Sequence, residues 1–244
     1  MALLEIRGVC KSFRTLRALE SVDIDVEAGT FHGLIGPNGS GKSTLLKAIA
    51  GDHFADRGSI VFDGTDIVRA TPYERARAGL SLKFQITAVL SELSVYDNVL
   101  LAAQSREKLS SLLFSSRRRA FDEEVRSLLE RFRLIERADD LAGELSHGQQ
   151  QWLEIAMALA LKPKLLLLDE PTGGMSPEER RVTGELLQPI KQHCSLVIVE
   201  HDLDFIRDIC DRLTVLDQGK VLQSGTVAEI QACKEVQEIY LRRA

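Results

Sequence analysis

The sequence predicts an α/β fold, and three observations carry the prediction. Short apolar runs alternate with helix-like stretches along most of the 244 residues. The run Leu165-Leu166-Leu167-Leu168 reads as a buried strand stopped by Asp169-Glu170. Between Ser94 and Lys162 the strand signal nearly vanishes, which places a helical insertion of roughly 70 residues inside the α/β pattern.

The elements follow in order. Leu3–Val9 and Val22–Val26 read as strands, and Phe31–Ile35 as a compact apolar strand ending at Gly36. Lys42–Ala50 reads as a helix stopped by Gly51. Ile60–Phe62 is a short strand before the turn Asp63-Gly64. Thr71-Pro72-Tyr73-Glu74 has the form of a helix start, with a Thr cap, Pro in the first turn and Glu three after the cap. Leu80–Phe84 returns to strand character. Ser94 caps a helix running to about Gln104, and Phe121, Val125, Leu128, Leu129 and Phe132 share one helical face. Ser146–Leu161 is a further helix. Strands resume at Leu196–Val199, Leu213–Leu216 and Val221–Gln223. The concentrated basic patch Ser115-Ser116-Arg117-Arg118-Arg119 reads as a solvated loop, or as a contact for anionic lipid or a membrane partner.

Composition narrows the function. Hydrophobic residues make up 44% and charged residues 27%, enough apolar material for a core and too much for disorder. A net charge of −5 argues against a nucleic-acid binder, because phosphate contacts need a basic surface. The scattered Cys10, Cys194, Cys210 and Cys233 form no CxxC, which argues against a zinc site or a redox pair. The opening residues carry Glu5 and Arg7 and predict no secretory signal. No apolar run approaches the roughly 20 residues that span a bilayer, so any membrane work requires a separate membrane partner.

Gly36-Pro37-Asn38-Gly39-Ser40-Gly41-Lys42-Ser43 fits GxxxxGK[ST], followed by Thr44. Glycines let successive backbone amides curl around phosphate oxygens, and the next helix points its positive end at the same anion. Lys42 then places a charge on the β/γ-phosphates of a nucleotide, and the Ser43 hydroxyl completes a Mg²⁺ shell. Such a loop needs an acidic partner. Asp169 is placed to hold the metal, and Glu170 to polarise an attacking water. In isolation the two acids would read equally well as a solvated strand end.

With Leu145-Ser146-His147-Gly148-Gln149 added, the ordered motifs resemble those of the ATP-binding cassette (ABC) ATPases over residues 3 to 242. The resemblance implies a P-loop NTPase (RecA-like) core with an antiparallel β arm and an inserted helical subdomain. It implies a single domain: core and arm over 1–86 and 163–232, helical subdomain over 87–162, and a helical tail over 233–244. It implies that Phe13 stacks on adenine, against the alternative of a core Phe. Gln85 would reach Mg²⁺ as the Q-loop glutamine, and His201 would contact the γ-phosphate as the switch histidine, with Glu170 and His201 the catalytic residues. Ser146, His147, Gly148 and Gln149 form the signature, which in this family acts on ATP held by the opposite subunit. Ser146 and Gln149 also have capping-box spacing. Two departures stand out: His147 replaces the usual glycine, and Ser176 occupies the D-loop aspartate position. His147 either lies beside the opposite triphosphate or points to solvent.

The segments LSHGQQQWLEIA and EPTGGMS and the ending VQEIYL are similar to ATPases of branched-chain amino acid and urea importers. The expected function is therefore a Mg²⁺-dependent ATPase subunit at the cytoplasmic face of the cell membrane. It would pair with a second ATPase subunit and an integral-membrane permease, and serve a solute-binding protein indirectly. Nucleic acid is not an expected partner. The alternatives are a soluble ABC ATPase acting on nucleic acid or ribosomes, and the cassette of an exporter with a separate permease.

Overall fold

The computed structural model describes residues 2–83, 89–107 and 115–241. Strands β1 (Ala2–Phe13) and β2 (Leu16–Glu27) form an antiparallel hairpin, with Leu4 opposite Val26 and Ile6 opposite Ile24. β4 (Arg57–Phe62) pairs antiparallel with the other edge of β1, and β5 (Thr65–Asp66) completes the order β2-β1-β4-β5. Both hairpin strands outrun the apolar segments that predict them. Pairing continues through Lys11–Leu19 and Ser12–Arg17, where Leu19 is buried but Ser12 and Arg17 are exposed, so the apolar alternation fades.

The second sheet has the order β10-β9-β3-β8-β7-β6. β3 (Phe31–Ile35), β6 (Leu80–Lys83), β7 (Leu165–Asp169), β8 (Ser195–Val199) and β9 (Arg212–Asp217) are parallel, and β10 (Lys220–Thr226) closes one edge antiparallel to β9. The sheet is covered on both faces, which is why its central strands β7 and β8 are almost wholly apolar. Leu165 and Leu167 join Leu34, Val197 and Val199 in a core shared with the antiparallel sheet and α1 (Lys42–Ala50). Leu166 and Leu168 join Phe31, Leu196 and Ile198 in a core shared with the other helices.

Those helices are α3 (Val95–Ser105), α4 (Ser115–Arg131), α5 (His147–Ala160), α6 (Pro177–Leu187), α7 (Leu203–Ile209), α8 (Val227–Ala232) and α9 (Lys234–Leu241). The predicted face of α4 is buried at Phe121, Val125, Leu129 and Phe132 and packs with Val95, Val99 and Leu153. The basic patch at 115–119 is the start of α4, a helix where a loop was expected. Arg119 reaches Glu123 and Arg126 reaches Asp122 at i,i+4 spacing, which supports helix over loop. α2 (Pro72–Ala78) begins with the predicted capping box between Thr71 and Glu74. Its Arg75 is buried and donates to the carbonyls of Ala48 and Ile49, closing the C-terminal end of α1.

His32 lies inside the parallel sheet, one strand-end away from the glycine loop. Its Nε2 is 2.8 Å from Thr214 Oγ1, which is 2.9 Å from Ser224 Oγ. Burial, reinforced by Arg212, pulls its pKa down to about 4. The folded chain therefore binds fewer protons at this site than the unfolded chain between pH 6.5 and 4, and stability falls as pH drops through that window. Between pH 7 and pH 5 the loss from this residue is roughly 2 kcal/mol. Urea unfolding of the parent and His32→Gln at both pH values checks it: the parent loses that much more than the variant. Equal losses would place the acid sensitivity elsewhere.

Candidate functional site

β3 delivers the chain into the glycine loop. A Cβ at Gly36 (φ +148°) would fall 2.1 Å from the Leu216 carbonyl oxygen, so the loop turns against β9 at a distance only glycine permits. Gly41 (φ +106°) caps α1 with no side-chain acceptor, and the first turn of the helix carries no acid. The first amides of α1 thus face the loop with no side-chain cap among the described residues, an arrangement that favours an anion. Lys42 is buried and donates from Nζ to the carbonyls of Gly36 (2.7 Å) and Pro37 (3.0 Å). Burial pushes its pKa down, while Glu170 and Asp169 pull it back up. Ser40 Oγ is buried in the same loop and has no hydrogen-bond partner among the described residues. Asn38 and Gly39 form the outer turn, and Ser43 and Thr44 lie in the first turn of α1.

The acidic side of the site comes from β7 and β8. β7 ends at Asp169, and Ser43 Oγ donates to Asp169 Oδ1 at 3.4 Å. Burial, with Glu170 next to it, holds the Asp169 carboxyl above its usual range. Glu170 leaves the strand in a left-handed conformation (φ +48°), and its amide donates to the Val199 carbonyl. That turn brings the Glu170 carboxylate to His201, with Nε2 2.8 Å from Oε1. A carboxylate only accepts, so Nε2 carries the proton in this pair.

Glu200 is the residue the sequence reading missed. It is buried, and its Oε1 accepts from the amide and hydroxyl of Thr172 at 2.8 and 2.7 Å while Oε2 accepts from the His201 amide. It therefore fixes both the loop after Glu170 and the backbone of His201. The available signal was an acid at the end of a buried strand, which requires donors in the fold.

Phe13 sits at the end of β1 and is 40% exposed, which excludes the core reading. Its ring meets His53 edge to face at 5.2 Å, and Lys11 Nζ lies 5.5 Å from its centroid. Lys11 is in turn held by the Phe54 carbonyl and Asp56. Gln85 lies outside the described residues.

The Ser146–Gln149 segment forms both arms of the predicted capping box, Gln149 N to Ser146 Oγ and Ser146 N to Gln149 Oε1. Ser176 does the same with Glu179 at the start of α6. His147 stands at the start of α5. Its side chain is at the surface, and Nε2 lies 3.0 Å from the Gly173 carbonyl of its own chain. Gly148 is buried against Glu179.

Comparison with known proteins agrees with this geometry. The family described as ABC transporter matches residues 19–173. The probable branched-chain amino acid transport ATP-binding protein LivG of Archaeoglobus fulgidus is 34% identical, over 99% of this chain and 96% of its own. The lipopolysaccharide export system ATP-binding protein LptB of Escherichia coli K12 is 31% identical, over 99% of this chain and 98% of its own. The crystal structure of an ATP-binding cassette of an ABC transporter in its ADP conformation superposes with a TM-score of 0.84, at 31% identity and 99% coverage of both chains.

Proposed function

Because the chain belongs to the ABC transporter family as an ATP-binding, ATP-hydrolysing subunit, we propose that it energises an importer of a small polar or amino-acid-type solute, of the branched-chain amino acid or urea kind. The observation that carries this reading is the likeness to the LivG protein along almost the entire length of both chains. The likeness to an exporter subunit at similar coverage supports the second reading, a cassette serving export.

The catalytic roles follow from the site. The backbone amides of 38–44 and Lys42 hold the β- and γ-phosphates, and Phe13 stacks against adenine. Ser43 Oγ and Asp169 present hard oxygen donors to one point, with Gln85 as a further ligand, a set that suits Mg²⁺. The metal, when bound, neutralises charge on the transferred phosphoryl group. Glu170 takes the proton of the attacking water. His201 keeps that carboxylate pointed inward and meets the γ-phosphate.

The segment Ser146, His147, Gly148 and Gln149 offers a capped helix start to the ATP of a second cassette, so two chains complete two sites. The single cassette domain divides into the core and β arm (1–86, 163–232), the helical subdomain (87–162) and the tail (233–244). None of the described helices is long and apolar enough to cross a membrane. Attachment to the cytoplasmic face of the cell membrane runs through a permease, supplied with solute by a binding protein.

The test is isolation of the tagged chain from detergent-solubilised membranes of its own host. The expected result is co-isolation with integral-membrane permease subunits. Labelled amino acid or urea should then accumulate, in an ATP-dependent way, in vesicles reconstituted with the complex. Recovery with ribosomes or nucleic acid and no membrane protein would overturn the reading. ATP-driven solute movement away from the cassette side selects export.

A further inference from the structure

The loop that follows Glu170 is fastened at more points than catalysis at one site requires. It starts at the Glu170–His201 pair and is gripped at Thr172 by Glu200. At Gly173 its carbonyl accepts from His147. A carbonyl has no proton to give, so His147 Nε2 is the donor, a role the ring can fill in the neutral and charged forms alike. The ring also lies against Gly174 (φ +75°), where a Cβ would be 3.2 Å from both Cδ2 and Nε2. On the other side of the same helix turn, a Cβ on Gly148 would fall 2.6 Å from Glu179 Oε1, and Glu179 is held by Ser176. The start of α5 is thus clasped from two sides by 173–179, the segment that runs out of the catalytic carboxylate.

From this clasp we infer that His147 is a positioning residue: it tethers the loop after Glu170 to the start of α5 and so links the hydrolytic half-site to the signature half-site on one chain. The inference rests on the proposed role of 146–149 at a second cassette's ATP. A glycine in place of His147 removes the donor to Gly173 and the ring that covers Gly174. The clasp then keeps only its Glu179 side, and a change at Glu170 no longer reaches Ser146 through a fixed connection.

The test compares parent, His147→Gly and His147→Gln, the last of which returns an N–H donor on a side chain of similar reach. Hydrogen exchange of the amides at 172–176 is followed in the nucleotide-free chain, and the ATP dependence of steady-state hydrolysis is measured in parallel. In His147→Gly, exchange should accelerate about fivefold, the effect of one ordinary hydrogen bond. The Hill coefficient for ATP should fall with it. His147→Gln should restore both. Unchanged exchange or unchanged cooperativity in the glycine variant overturns the tether, as does a glutamine variant that behaves like glycine. A Glu170→Gln chain that fails to dimerise with ATP would sink the two-half-site reading instead, and the exchange comparison would still decide whether the tether exists.

Discussion

Glu170→Gln should lower ATP turnover by about 10²-fold or more while ATP binding persists. The substitution preserves shape and one acceptor. His201 Nε2, 2.8 Å from Oε1, can donate to the amide oxygen as it does to the carboxylate. The left-handed backbone at Glu170 and its amide bond to Val199 do not depend on the side chain. What disappears is the negative charge and the basic site able to take a proton from water, so the loss falls on kcat and leaves KM little changed. A trapped ATP-bound dimer should accumulate as a consequence. Phosphate release and size-exclusion chromatography with ATP and Mg²⁺ are the measurements. Hydrolysis within about threefold of the parent would remove Glu170 from the role of base, since general-base loss is worth far more than that.

The second large effect is expected at a buried ion pair. Lys83 Nζ lies 3.4 Å from Glu154 Oε2, with side chains 1% and 7% exposed. Burial is the leading influence on Lys83 and pushes its pKa down; Glu154 pulls it back up. Lys83→Met removes a cation that faces the largely buried Glu154 carboxylate. The expected cost is about 3–5 kcal/mol in urea unfolding. The double variant Lys83→Met/Glu154→Leu should recover most of it, because two well-packed apolar groups need no charge compensation. A single variant as stable as the double would show that the pair is not coupled. The pair joins the last residue of β6, two positions before Gln85, to the helix that begins at the signature. Hydrolysis in the double variant therefore reports on geometry after stability is restored.

The contrast between these two sites explains what could be read in advance. Features decided by neighbouring residues were legible. The caps at Thr71, Ser94, Ser146 and Ser176 form as the spacing requires, because the side chain and the amide it satisfies are three residues apart. The helix Lys42–Ala50 and its Gly51 stop were legible for the same reason. Features decided by partners distant in the chain were not. The insertion of β3 between β8 and β9 depends on a core assembled from the whole sequence. Glu200 finds its donors at Thr172, and His147 finds Gly173; neither pairing leaves a periodic trace. The resemblance marked Glu170 and His201 separately, but their contact was not legible, since nothing in the local sequence brings residues 31 positions apart together.

The Lys42 contacts bear on how nucleotide is captured. With its ammonium on the Gly36 and Pro37 carbonyls, the lysine holds the loop in its curled form without help from a ligand. Capture is then an exchange: a charge leaves two peptide dipoles as it meets phosphate. The ordering entropy of the loop has already been met during folding and does not recur at each encounter. The affinity contributed by Lys42 is accordingly a difference between two bonded states. In the proposed reading, the side chain that would recognise the triphosphate is also its placeholder between turnovers.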